Sequence, residues 1–250
     1  MALIPCACTT LAAPALLVSM SDQFSTKMPP TSAVTEYTSV SLKPEAEEGV
    51  LVEGGPVAKQ VDTILAHKGV VSVHYATPIE KPHQLWTFVE WESLDHQGGS
   101  RVTVAGFDKI IDLSAPQIKA HISPTVASIF NDKANPVVEV LNMSFPADID
   151  ASQKAIVESR WAEFVDKALS HPTTFGNHVQ GWTIEDDVVV PGDEAKTGKI
   201  FVAFISWPSL NKHMEKRMTD EFKDNIALLR TLPGLIKMSM FHVQCTTKHA

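Results

Sequence analysis

Ten histidines and five tryptophans carry most of the chemical potential of this 250-residue sequence. His74 and Tyr75 are adjacent in the β-rich run VVSVHYATPI (70–79). Neighbours in a strand point to opposite faces, so one of the two faces any cavity beside it and can donate a hydrogen bond or move a proton. His121 lies in a similar run, IKAHI (118–122). These three residues are the candidate catalytic groups. Trp86, Trp91, Trp182 and Trp207 offer aromatic walls and Met240 a pliable one, while Asn142 and His242 offer directional polar contacts; these seven are the candidate substrate-binding set. Aromatic lining with a few hydrogen-bonding groups suits a hydrophobic, planar small molecule.

Other chemistries lack their residues. No Gly-rich phosphate loop follows a strand, and no G-x-S-x-G nucleophile turn occurs. Cys6, Cys8 and Cys245 form no disulfide framework, and Cys6-x-Cys8 lacks the two further ligands that tetrahedral zinc needs nearby. The expectation is no metal and no cofactor. Net charge is −8 with no basic run, which argues against nucleic acid and anionic membranes as partners. No stretch of eighteen apolar residues is present, so no membrane span is expected. Residues 1–33 read as a disordered leader. Residues 11–19 are mildly apolar, but no Lys or Arg precedes them and Pro14 interrupts them, so they make a poor secretory signal. A cytoplasmic protein is expected, with secretion through that weak signal as the alternative.

The elements that position the candidates come in two rounds. Residues 34–43 are β-rich; residues 56–67 place Val57, Val61, Ile64 and Leu65 on one helical face, and Gly69 ends that helix. Residues 70–79 and 84–91 are strands, an irregular stretch follows Ser93, and residues 118–130 begin as a strand and run into a connecting arm. The second round has a strand at 137–145, an amphipathic helix at 151–170, strands at 178–190 and 199–207, a helix at 209–232 and a strand at 236–245. Met214, Met218, Phe222, Ile226 and Leu229 lie at near-helical spacing in that last helix. Asn131 to Pro136 is the natural linker.

Short phrases mark the repeat. FVEWESLDH (88–96) and FISWPSLNKH (204–213) share Phe, Trp, Ser and Leu at positions 116 residues apart, and Glu36 and Ser41 match Glu139 and Ser144. The fold class expected is α+β: two tandem ferredoxin-like β-α-β-β-α-β units, residues 34–132 and 136–249. Each unit covers one face of its sheet with helices, so the bare faces must bury each other. A pseudo-two-fold barrel results.

This arrangement, with the run F-x-x-W-x-S-L-x-x-H-M-x-x-x-x-T-x-x-F over 204–222, resembles the dimeric α+β barrel superfamily. That group includes the antibiotic-biosynthesis-monooxygenase-like and stress-responsive barrel proteins. The likeness spans about residues 34–249 and is degraded in the first unit, where Gly98 and Gly99 replace the smooth helix start. Two glycines cost about 1 kcal/mol each inside a helix, so that helix should be short, broken or displaced. The fused form is similar to proteins of fungal secondary-metabolite pathways. Members usually dimerise; this chain is expected to be a monomer with internal symmetry or a homodimer.

The resemblance implies a cofactor-poor catalyst, or a binding protein, with a pocket between sheet and helices of one unit. Haem-degrading relatives place a ligand His eleven residues after the strand Trp, where this chain has Val102 and Met218. Plant-type polyketide cyclases place a Tyr and a His where it has Ser100 and Gly106, or Lys216 and Phe222. The leading expectation is cyclisation, isomerisation or cycloaddition in natural-product biosynthesis. Cofactor-independent monooxygenation and non-catalytic small-molecule binding are the alternatives. The pocket is expected in the first unit, because bulky Met214, Met218 and Phe222 can fill the second. His213 is read as a residue that caps or packs the helix.

Overall fold

The computed structural model describes residues 33–46, 49–97, 106–169 and 175–250. Expectations about the leader and about Gly98 and Gly99 lie outside the described residues.

The first sheet is built from β1 (Val34–Ser41), β2 (Val70–Ala76), β3 (Gln84–Trp91) and β4 (Ile118–Ile122), with α1 (Pro56–Leu65) between β1 and β2. Strand order is β2-β3-β1-β4, the split ferredoxin-like order. The β-branched and aromatic residues of VTEYTSVS suit a pleated, buried surface. Pro56 opens α1, where its missing N–H costs nothing. Gly69, at φ +86°, gives the turn into β2; a Cβ there would sit 2.4 Å from the ring of His96. After β3 there is one 3-10 turn, Leu94–Gln97. The arm after β4 ends in α2 (Ala127–Phe130).

The second sheet holds β5 (Val137–Phe145), β6 (His178–Trp182), β8 (Asp193–Trp207) and β9 (Lys237–Val243) in the matching order β6-β8-β5-β9, with β7 (Val188–Val190) paired to β8. Helix α3 (Ala151–Ala168) starts at a capping box in which Asp150 accepts from the Gln153 N–H. The long helix expected at 209–232 is instead three short ones: α4 (Leu210–Arg217), α5 (Asp220–Asn225) and α6 (Ala227–Arg230). Thr219 causes the break: its hydroxyl accepts from the Phe222 N–H and caps a new helix, with acidic Asp220 and Glu221 in its first turn. Met214 and Met218 therefore face outward, at 45% and 67% exposure, and do not fill the interior. The strand expected at 178–190 divides into β6 and β7.

Three apolar clusters organise the molecule. One lies under α1 and includes Val57, Val61, Val73, Tyr75 and Trp91. Another lies between the second sheet and α3 to α6. The third is shared: Tyr37, Trp86, Phe88 and Ile122 from the first sheet meet Val140, Val202, Phe204 and Phe241 from the second. Trp86 and Phe241 lie 4.5 Å apart, and Phe88 meets Phe204 edge-on at 5.8 Å. Both bare sheet faces are buried this way, as the α+β barrel requires. At one seam Gly181 passes Ser123 so closely that a Cβ would lie 2.6 Å from the Ser123 oxygen.

One element escaped the sequence reading. After β9 the chain crosses to the other unit as β10 (Thr246–His249) and pairs antiparallel with β2. Lys248 pairs with Asp62 of α1 at 2.5 Å. The first sheet thus has five strands, the fifth supplied by the end of the second unit.

Glu90 lies buried beside the shared cluster, with Thr35 Oγ1 within 2.8–3.0 Å of both its oxygens. Burial raises its pKa to about 7 despite that hydrogen bond. A carboxyl whose folded pKa is raised stabilises the fold below its unfolded value and loses that contribution as pH climbs towards 7. Glu90→Gln is expected to raise the melting temperature at pH 8, where up to about 3 kcal/mol is recovered, and to leave it nearly unchanged at pH 4. Thermal denaturation at the two pH values checks this.

Candidate functional site

A small cavity of about 60 Å³ opens to the surface between the second sheet and its helices. Its wall is apolar: Leu141 from β5, Phe164 from α3, Ile205 from β8, Phe222 from α5, and Met238 and Met240 from β9. The lining also carries Glu139, His213, Arg217 and Arg230. The cavity exists because the helical layer breaks at Thr219 and the two methionines turn away. It lies in the unit opposite to the one expected.

Alternation along the strands sets the polar end. On β5, Val138, Val140, Asn142 and Ser144 face the shared core, so Glu139 and Leu141 face the helices. On β9, His242 points the same way as Met238 and Met240. On β8, Trp207 does so too, and its ring stacks on His213 at 4.6 Å. Trp207 Nε1 donates to Glu139 Oε2 at 3.2 Å. Ser209 caps α4 through the Lys212 N–H, which seats the first turn that carries His213.

A chain of close contacts runs back from the cavity, hydrogen-bonded from His213 onward. His213 Nε2 lies 3.4 Å from Glu139 Oε2, and His213 Nδ1 lies 2.6 Å from His242 Nε2. His242 Nδ1 is bonded to Glu80 Oε1, and its backbone N–H donates to Glu80 Oε2 at 2.9 Å. Glu80 belongs to the first unit and is 39% exposed, so the chain ends at solvent. A carboxylate only accepts, so His242 carries its proton on Nδ1. When His242 is neutral, its Nε2 accepts from His213 Nδ1–H and His213 Nε2 is left unprotonated towards Glu139; when His242 is protonated, its Nε2–H donates to His213 Nδ1 instead.

Charge states follow from these surroundings. Burial lifts the Glu139 pKa to about 7, although the Trp207 hydrogen bond and the Arg217 charge oppose it. Burial, then His242 and Arg217, lower His213 to about 3, so its imidazole is neutral. Glu80 is pulled the other way: burial raises it, but hydrogen bonds from the His242 backbone and ring outweigh burial and hold it below the ordinary carboxylate range.

Glu139, His213 and His242 each offer an atom within 4.8 Å of the others, close enough to ask whether they share a metal. His213 turns opposite ring nitrogens to its two neighbours, however. That is the geometry of a relay rather than of ligands converging on one point.

The first unit repeats the outer half of this chain. The His121 N–H donates to Glu185 Oε2 at 2.8 Å, its Nδ1 meets Glu185 Oε1, and its Nε2 lies 3.4 Å from Glu36. Here Lys119 also approaches Glu36, at 3.9 Å, and Trp91 Nε1 has no hydrogen-bond partner among the described residues. Each unit therefore grips the last ferredoxin strand of the other with a glutamate.

Of the ten candidates, Met240 lines the cavity, and Trp207 and His242 touch its polar groups. The others lie elsewhere. His74 faces the shared core, stacked on Phe130 at 4.8 Å and bonded to Thr247 of β10 at 2.8 Å. Tyr75 packs under α1, and Trp91 with it. His121 sits in the first unit's clamp, Trp86 in the shared core, and Asn142 on the core face of β5, fully buried. Trp182 lies on the flank, its Nε1 donating to Glu158 at 2.9 Å. The sequence reading missed Glu139, Glu80 and Arg217 and undervalued His213. One signal was available: Glu139 is a charge in the middle of an apolar strand, and it recurs in the repeat as Glu36.

No family model matches the sequence and no curated protein is similar to it. Solved structures do share the fold. An anthrone oxidase-like protein superposes with a TM-score of 0.58 at 15% identity, over 88% of this chain and 94% of that one. A candidate monooxygenase from Fusobacterium nucleatum gives 0.53 at 12% identity over 88% and 96%. One from Lactobacillus acidophilus gives 0.51 at 10% identity over 87% and 96%. The fold is that of the dimeric α+β barrel proteins, with both ferredoxin-like units in one chain. No helix among the described residues is long and apolar enough to cross a membrane.

Proposed function

We propose that the chain is an enzyme that removes a proton from a hydrophobic, polycyclic small molecule held in the second unit's cavity, and that the resulting carbanion reacts with molecular oxygen. The observation that carries this reading is Glu139. It is a buried carboxyl on an apolar cavity wall with a pKa near neutrality, at the head of a relay that reaches solvent. The fold likeness to an anthrone oxidase-like protein supports a substrate with an acidic benzylic CH₂ group.

In its ionised form Glu139 takes one proton from that CH₂. The carbanion reduces oxygen, and a carbon–oxygen bond forms to give a peroxide that regains a proton. Loss of water, with removal of the second C–H proton, leaves a carbonyl. One oxygen atom enters the product and the other leaves as water, so no external reductant is needed. Glu139 passes its proton to His213 Nε2. His213 gives its Nδ1 proton to His242, and His242 gives its own to Glu80. Arg217 steadies negative charge on the substrate. Holding the substrate in a fixed orientation against the apolar wall supplies the rest.

Oxygen uptake with anthrone as substrate tests the reading: one O₂ should be consumed per quinone formed, without hydrogen peroxide. The same base could serve an isomerisation or cyclisation, in which the proton returns to another carbon. Turnover without oxygen uptake would select that chemistry, and binding without turnover would reduce the protein to a carrier.

Glu80→Gln tests the relay. Glutamine keeps an acceptor for the His242 ring but takes up no proton. The expected result is a fall in kcat of about 10- to 100-fold with KM unchanged, within the span of acid–base effects, because Glu80 does not touch the cavity. Steady-state kinetics on the folded variant check it.

A further inference from the structure

We infer that the ligand of this cavity is an organic anion, an apolar ring system bearing a carboxylate, whose charge is held by Arg217 and Arg230. The inference rests on the proposed function only in placing the ligand in this cavity.

The lining carries four groups able to bear charge: Glu139, His213, Arg217 and Arg230. His213 is neutral at physiological pH, and Glu139 is half-neutralised near pH 7. The two guanidiniums leave the site positive, in a chain whose net charge is −8. Neither arginine forms an ion pair among the described residues, whereas Lys167, Lys199, Lys212 and Lys248 all do. Arg217 Nη1 donates to the Met214 sulfur at 3.9 Å. Its charge reaches inward, since it acts on both Glu139 and His213. A guanidinium on an apolar wall that forms no ion pair among the described residues is matched by a ligand carboxylate, which it can take in bidentate fashion.

The competing explanation is simpler. Arg217 ends α4 and Arg230 ends α6, and basic residues are favoured in the last turn of a helix. That preference explains the residue type but not its place on the cavity wall, and it predicts no ligand selectivity.

Binding of 9-anthracenecarboxylate, followed by its fluorescence and compared with the neutral 9-anthracenecarboxamide, separates the two. The carboxylate should bind at least tenfold more tightly. Arg217→Gln should abolish that preference, Arg230→Gln should reduce it, and 0.5 M salt should weaken it, as expected for a charge at the cavity mouth (Debye length about 4 Å). Equal affinities in the unaltered protein would overturn the inference with no variant needed, as would a preference that survives both substitutions. The test is independent of turnover. Selective carboxylate binding without oxidation of either anthrone or an anthrone carboxylate would reject the proposed reaction alone, and turnover with equal affinities would reject the anion site alone.

Discussion

Glu139→Gln is expected to lower turnover by about two to four orders of magnitude, the usual span for loss of a general base, while the fold persists. Glutamine is nearly isosteric, and its oxygen can still accept from Trp207 Nε1. The buried carboxyl has a pKa of about 7, so it is protonated through much of the acidic range and the neutral amide resembles that form. The substitution should therefore stabilise the protein above pH 7, because a carboxyl whose folded pKa is raised destabilises the fold once ionised. In the unaltered enzyme kcat should rise with pH through about 7 as Glu139 ionises. His213, lowered to about 3, contributes no second limb near neutrality. Circular dichroism and a pH–rate profile check both parts. Full activity in a folded Glu139→Gln protein would remove the proposed base.

The second large effect concerns the two halves. A fragment of residues 136–250 is expected to aggregate or self-associate rather than fold as a soluble monomer. It would expose Val140, Val202, Phe204, Phe241 and Val243 from the shared cluster. A sheet face of several hundred Å² at about 25 cal/mol per Å² is worth on the order of 10 kcal/mol, comparable to the whole stability of a domain, about 5–15 kcal/mol. The fragment would also leave β10 without β2 and His242 without Glu80. Size-exclusion chromatography and thermal melting of the fragment decide. A monodisperse, cooperatively melting monomer would contradict a core shared between the units. Recovery of activity on mixing the two fragments would support it.

Much of the fold was legible because the repeat is written in strand residues. The Phe and Trp pairs of β3 and β8, with the Ser and Leu pairs just after them, aligned the two units, and the apolar stripes of α1 and α3 marked their helices. The helix at 209–232 was misjudged because periodicity was weighed above capping. Thr219-Asp220-Glu221 is an N-terminal signature, and it outcompetes an apolar stripe that continues across it. Moving Met214 and Met218 outward empties the second unit and creates the cavity. The exchanged strand TTKH was invisible because its pairing with β2 is set by where the chain emerges, not by its composition. The site was harder still. His213 and Glu139 are 74 residues apart, and Glu80 lies in the other unit; only the fold joins them. His74 and His121 looked equally promising as strand histidines. Their partners, Thr247 and Glu185, show them holding the units together. A single sequence does not distinguish a histidine beside a cavity from one that only braces a seam.

Hydrogen–deuterium exchange at the CH₂ of anthrone, measured without oxygen in D₂O, isolates proton abstraction from everything that follows it. The account predicts exchange well above the buffer rate, rising with pH to a midpoint near 7 and lost in Glu139→Gln. Exchange at the buffer rate, or undiminished exchange in that variant, would contradict it.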